Sequence, residues 1–198
     1  MNGQHKNGLD MKSTLLLFTL VVSGLFYSPL YSTSTNKPAN LFFKTHAAVK
    51  PVGDVYIIID KSDYELSVYD AKGWYATYPV VFGANPLEDK KMEGDRRTPE
   101  GTFIIQGKKP HDKWSRFMHI NYPTQESIAR FNSRKQRGEI PKNAKIGGAI
   151  GIHGTWPRED YQIDRFKNWT LGCISMKNKD VEELYRFIPV GTKVTIRK

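Results

Sequence analysis

The sequence predicts a β-rich domain with a few helical decorations, and three observations carry that prediction. Short β-branched or alternating runs outnumber helical patterns. Turn residues punctuate those runs at close intervals. The 198 residues, with ordinary aromatic and charged content, suffice for one well-buried core and argue for one domain.

Taken in order, DVYIIID (54–60) is a short β-branched run, and YELSVYD (64–70) alternates, with Tyr64, Leu66 and Val68 on one face. Only KSD separates them, so they read as a hairpin. After the turn AKG, WYATYPVVFG (74–83) has strand composition, and Pro79 implies a sheet edge or a bulge because proline cannot donate to a ladder. ANPLEDKKMEGDRRTPEG (84–101) is too long for a simple turn and is a candidate functional loop. TFIIQG (102–107) and RFMHINYP (116–123) return to strand. From Thr124 the spacing turns helical, with Ile128 and Phe131 on one side and Gly138 as the stop signal. A clearer helix takes Asn178 as its N-cap, with Asp180, Glu182 and Glu183 in its first turn and Val181, Leu184, Tyr185 and Ile188 at helical spacing. GTKVTI (191–196) closes the chain as a strand.

Ahead of these elements, MKSTLLLFTLVVSGLFYSPLYS (11–32) sets Lys12 before an apolar run. The run holds roughly a dozen residues, short of the about 20 needed to span a bilayer, and fits a secretion signal. Residues 1–32 are therefore expected to form a targeting segment, cleaved or retained as an anchor. Residues 33–51 read as a polar linker and 52–198 as the folded domain. Export is the expected destiny, with membrane contact only through the first segment, and a monomer is expected.

The formal charge of +10 is unevenly spread. Between Lys108 and Lys145 stand ten Lys/Arg against three Asp/Glu, a stretch that should attract anions. Nucleic acid is not the expected partner, because the chain has no CxxC, no Gly-rich phosphate loop and no continuous basic helix.

The one cysteine, Cys173, cannot form an intramolecular disulfide. It is a core hydrophobe, a metal ligand or a nucleophile. Zinc normally takes three or more protein ligands, and no paired ligand spacing accompanies Cys173, His153, His119 or His111, so no metal is expected. His119 reads as a sheet-face histidine and His111 as a loop histidine. In IGGAIGIHG (146–154), small and apolar residues read as a buried strand ending at His153. In TLGCI (170–174), Gly172 permits a tight turn that presents the thiol and aims the amides of Gly172 and Cys173 at one spot, as an oxyanion site requires. His153 then serves as the base and lowers the thiol pKa, so Cys173 should alkylate near neutral pH faster than an ordinary thiol of pKa about 8.5.

IHG (152–154), TLGC (170–173), GDRRTPEGTF (94–103) and the C-terminal NKDVEELY…VGTKVTI together resemble the L,D-transpeptidases with the YkuD-type catalytic domain. The resemblance runs from about Val52 to Ile196, with all four pieces in the family's order. It implies a mainly β, YkuD-like sandwich with a few peripheral helices, exported to the periplasm or cell wall and acting on peptidoglycan stem peptides; the sequence itself shows no sign of a cofactor, and none is expected. By position, Cys173 would be the nucleophile, His153 the proton acceptor and donor, and Gly154 the backbone carbonyl that orients His153. Two departures stand out: Leu171 replaces the motif's second histidine, and Ser175 replaces an arginine found in many members. Thr170, Trp169, Arg96, Arg97 and Arg158 are the candidate substrate contacts: the arginines read either as substitutes for the missing charge or as solvated surface residues, and Trp169 either as a channel wall or as a core residue. Three activities fit this reading: transfer to an acceptor amine, hydrolysis by the same thiol, or wall binding without catalysis.

Overall fold

The computed structural model describes residues 50–198, so the expected targeting segment and nearly all of the linker lie outside the described residues. Eight strands form one sheet: β1 (Tyr56–Asp60), β2 (Glu65–Asp70), β3 (Gly73–Pro79), β4 (Gly101–His111), β5 (Ser115–Ile120), β6 (Gly151–His153), β7 (Ile174–Ser175) and β8 (Lys193–Arg197). Their spatial order is β3-β2-β1-β8-β4-β5-β6-β7. Three helices join them: α1 (Gln125–Gln136), α2 (Tyr161–Asp164) and α3 (Asn178–Phe187). This is the mainly β, YkuD-like fold expected of the sequence.

The predicted hairpin is the antiparallel pair β1–β2, with Tyr56 opposite Tyr69. Pro79 ends β3 at the outer edge of the sheet, where its missing N–H costs no ladder bond. Past that proline, Val81 forms an antiparallel bridge to Ser175 in β7, so the two ends of the sheet are drawn toward each other. β4 makes the bend possible. Its first residues pair with β8, its register slips between Ile105 and Gly107, and its second half pairs with β5. Alternate residues of both halves, among them Ile57, Val68, Phe103, Met118, Ile152 and Ile174, meet in one fully buried core. Removing that much apolar surface from water supplies the main stabilisation, about 25 cal/mol per Å2.

Several local readings change. β4 is eleven residues long and carries His111 as its last residue, so His111 is on a strand and not in a loop. Asn178 is the first helical residue of α3, and Lys177 is the N-cap. The Asn178 amide donates to Asp160 Oδ1 at 3.0 Å, so a carboxylate from outside the helix takes the role expected of the Asn178 side chain. The predicted strand over 146–154 shrinks to Gly151–His153, because Gly147 and Ala149 adopt positive φ and turn the preceding residues outward. α1 begins as expected, with Thr124 Oγ1 accepting from the Ser127 amide.

Candidate active site

Sheet register brings the chemistry together. Ile152 pairs with Ile174 and His153 with Ser175 in the parallel pair β6–β7. Extending that register by one residue sets Cys173 beside Gly151, so Cys173 and His153 fall on the same face as diagonal neighbours. The opposite face carries Ile152 and Ile174 into the core. On the functional face a cavity of about 790 Å3 opens, lined by Cys173, His153, Trp114, Phe117, His119, His111, Trp169, Thr170 and Leu171, with Gly107–Lys109 and Gly148–Ile150 at its sides. The shortened strand explains one wall: Gly148 to Ile150 stand beside the thiol, and Cys173 Sγ lies 3.6 Å from the Ala149 carbonyl oxygen.

His153 is almost fully buried, and its Nδ1 lies 2.7 Å from the Gly154 carbonyl oxygen. A carbonyl only accepts, so Nδ1 carries the proton and Nε2 presents its lone pair. The Gly154 carbonyl also accepts from Ser175 Oγ at 3.2 Å. Ser175, at the position read as a lost substrate contact, is fully buried and braces the group that orients the base. Trp114 supplies the remaining restraint. Its indole stacks on the His153 ring with centroids 4.4 Å apart, and its carbonyl accepts the Gly154 amide at 3.0 Å. A Cβ on Gly154 would lie 2.7 Å from that Trp114 carbonyl oxygen, so only glycine fits the clamp. Trp114 was not recognised from sequence, and Ser175 was noted only as a departure from the family motif; a tryptophan in the polar turn HDKWS was the available signal for the first.

The turn before Cys173 is built differently from the expectation. Gly172 has φ of 140°, and a Cβ there would lie 2.7 Å from the Arg97 carbonyl oxygen. Its amide donates to Thr170 Oγ1 at 3.1 Å, while that hydroxyl donates to the Cys173 carbonyl at 2.7 Å. The Gly172 N–H is therefore engaged within the turn and is not open to an oxyanion in this structure. Thr170 acts here as an internal tie of the turn, and Trp169 walls the cavity with its ring centroid 5.6 Å from that of His153. The arginines do not come to the site: Arg97 pairs with Glu88 at 2.8 Å, Arg96 and Arg158 are exposed, and none of the three lines the cavity.

Burial sets the protonation states. Desolvation pushes the His153 pKa down to about 4, against the partial support of the Gly154 hydrogen bond. Desolvation pushes the half-buried Cys173 thiol up to about 11, outweighing a backbone hydrogen bond from Gly151 and the distant Lys90 charge. The resting pair is thus a neutral thiol and a neutral imidazole, the reverse of the depressed thiol pKa expected from sequence. Although three histidines and the cysteine line one cavity, no three His, Cys, Asp or Glu side chains among the described residues are arranged to hold a metal ion.

A thiol and an oriented imidazole on one face of a bent β-sheet are the groups that a thiol-nucleophile domain requires. The chain belongs to the L,D-transpeptidase family: the model of the YkuD L,D-transpeptidase catalytic domain matches residues 54–196. Bacillus subtilis YqjB, an L,D-transpeptidase by name, is 30% identical over 145 residues, covering 73% of this chain and 72% of YqjB. Escherichia coli YafK, similarly named, is 23% identical over 89% of this chain and 63% of its own length. Among solved structures, Bdellovibrio bacteriovorus Bd1075 aligns with TM-score 0.51 at 24% identity, covering 73% of this chain and 48% of Bd1075. The helical cell shape determining protein Pgp2 of Campylobacter jejuni aligns with TM-score 0.52 at 21% identity, over 73% and 48%. These two likenesses show the fold, and the chain spans about half of each structure's length.

Proposed function

We propose that the protein is a cell-wall acyltransferase, an exported L,D-transpeptidase working through a Cys173 thioester on peptidoglycan stem peptides. The observation that carries this reading is the open Nε2 of His153, oriented by Gly154, on the same cavity wall as the one thiol. With both groups neutral, His153 takes the thiol proton as sulfur attacks the carbonyl of the stem's third residue. The Cys173 amide is the proposed oxyanion donor, and the Gly172 amide joins it only if Thr170 Oγ1 releases it. As the carbon–nitrogen bond breaks, the imidazolium returns the proton to the leaving amine, and D-Ala departs. An acceptor amine then attacks the thioester, giving its proton to His153, and the thiol is restored.

Hydrolysis is the second reading, favoured by Leu171, which stands 76% exposed at the cavity edge where the family motif has histidine. Incubating the purified protein with tetrapeptide-bearing muropeptides separates the readings. Crosslinked dimer supports transfer, and shortened monomer alone supports hydrolysis. No change in any muropeptide, with Cys173→Ala behaving as wild type in cells, leaves only a wall-binding role.

A further inference from the structure

The excess of positive charge in Lys108–Lys145 finds no use in the chemistry above, yet two of its lysines reach the active-site cavity. Strand alternation separates them. Lys108 pairs with Met118, a fully buried core residue, and its ammonium donates to the carbonyls of Tyr185 and Ile188 at the end of α3. It is committed. Lys109 pairs with Phe117, whose next neighbour across the sheet is His153. Lys109 is therefore on the catalytic face; it is exposed, and it makes no ion pair among the described residues. No Asp or Glu lines the cavity, and the arginines expected there lie elsewhere.

Its position selects which anion it can meet. From β4 to the chain at Cys173 the sheet is three strand spacings wide, roughly 14 Å at about 4.8 Å each. In a peptide donor, the leaving residue's carboxylate carbon sits about 4 Å from the attacked carbonyl carbon, too near Cys173 to reach the far wall. An extended lysine reaches about 6 Å from its Cα, so a carboxylate further back on the acyl portion, about 7–10 Å from the attacked carbon, spans what is left of that width. We propose that Lys109 anchors a carboxylate on the acyl side of the donor, across the face of Phe117 from His153. Such an anchor stays engaged in the thioester, whereas one on the leaving group is lost with it. The natural ligand follows from the proposed function, but the subsite itself can be tested without peptidoglycan.

Iodoacetyl-aminohexanoate carries its carboxylate about 10 Å from the carbon that alkylates a thiol. The sulfur–carbon bond forms as iodide leaves, and the thiol proton passes to His153 or solvent. Rates of Cys173 labelling by this acid and by its terminal amide are compared in the wild-type chain and in Lys109→Gln. At low salt the acid should label wild type about three- to fivefold faster than the amide, the size expected for a partly exposed ion pair. Lys109→Gln, or high salt with the wild-type chain, should erase that preference. The short pair iodoacetate and iodoacetamide should keep one ratio in both proteins, and an equal iodoacetamide rate shows the site is intact. An acid-to-amide ratio unmoved by salt and by Lys109→Gln, or a short pair shifted as much as the long pair, overturns the assignment. Muropeptides left unchanged would overturn the proposed function alone and leave this ratio standing.

Discussion

Two buried polar regions of this molecule handle charge in opposite ways. In the loop over residues 84–100, Lys90 and Asp95 are nearly sealed from water and form a 2.8 Å ion pair. Burial alone would raise the Asp95 pKa, but hydrogen bonds from Lys90 and the amides of Met92, Arg97 and Lys91 hold it below the ordinary value. The pair is complete, and it fixes the loop whose Arg97 carbonyl packs on Gly172. At the cavity that holds Cys173 no carboxylate accompanies it or His153, and both stay neutral. The Nε1 atoms of Trp114 and Trp169 and Nε2 of His119 are buried there without a hydrogen-bond partner. The contrast teaches that the loop balances its buried charge internally, while the site holds a proton acceptor and a thiol with no charged partner beside them.

Breaking each side of this contrast should give different readouts, largest first. His153→Ala should lower the acyl-transfer rate by about 10²–10⁴, and Cys173→Ala should abolish any covalent adduct detected by intact mass. On the scaffold side, Asp95→Ala leaves the Lys90 ammonium buried and unpaired and should cost about 3–5 kcal/mol in denaturant unfolding. Replacing both partners by apolar residues should recover much of that loss.

Acid sharpens the comparison next. As pH falls from 6.5 toward about 4, the unfolded chain protonates its histidine while native His153 does not, so about 3 kcal/mol of stability is lost. Asp180 opposes this change. It is buried in the first turn of α3, desolvation raises its pKa to about 6, and nearby Lys179 and Lys177 only partly offset that. The native state therefore takes up that proton before the unfolded one, regaining about 3 kcal/mol between pH 6 and 3.8. Asp180→Asn should unmask the His153 loss in urea titrations across this window. Smallest is Gly172→Ala, where the positive φ and the Arg97 carbonyl should together cost about 1–3 kcal/mol and slow labelling of the displaced thiol.

Periodicity made the β-rich architecture legible, because Ile57, Val68 and Ile196 announce a core face through β-branched alternation alone. The hairpin, the edge position after Pro79 and the start of α1 at Thr124 followed from rules that act within a few residues. His153 and Cys173 stood out through their glycine contexts and family motif. The restraining part of Trp114 and the bracing part of Ser175 did not, because they depend on register between strands distant in sequence, which no local pattern encodes. The same limit hid Lys109: two adjacent lysines look alike in sequence, and only strand pairing sends one to α3 and the other to the cavity. The arginines drew attention as charges, yet Arg97 was already committed to Glu88. The engagement of the Gly172 amide by the Thr170 hydroxyl was equally out of sight, because it depends on how the turn folds back on itself.

The neutral resting pair is the claim on which the mechanism turns, and the pH dependence of Cys173 alkylation by iodoacetamide tests it directly. The rate should still be climbing at pH 10, with its midpoint near 11, and at neutral pH it should fall well below that of a free thiol. A rate already on its plateau near neutral pH, lost in His153→Ala, would reveal a thiolate–imidazolium pair and contradict the account.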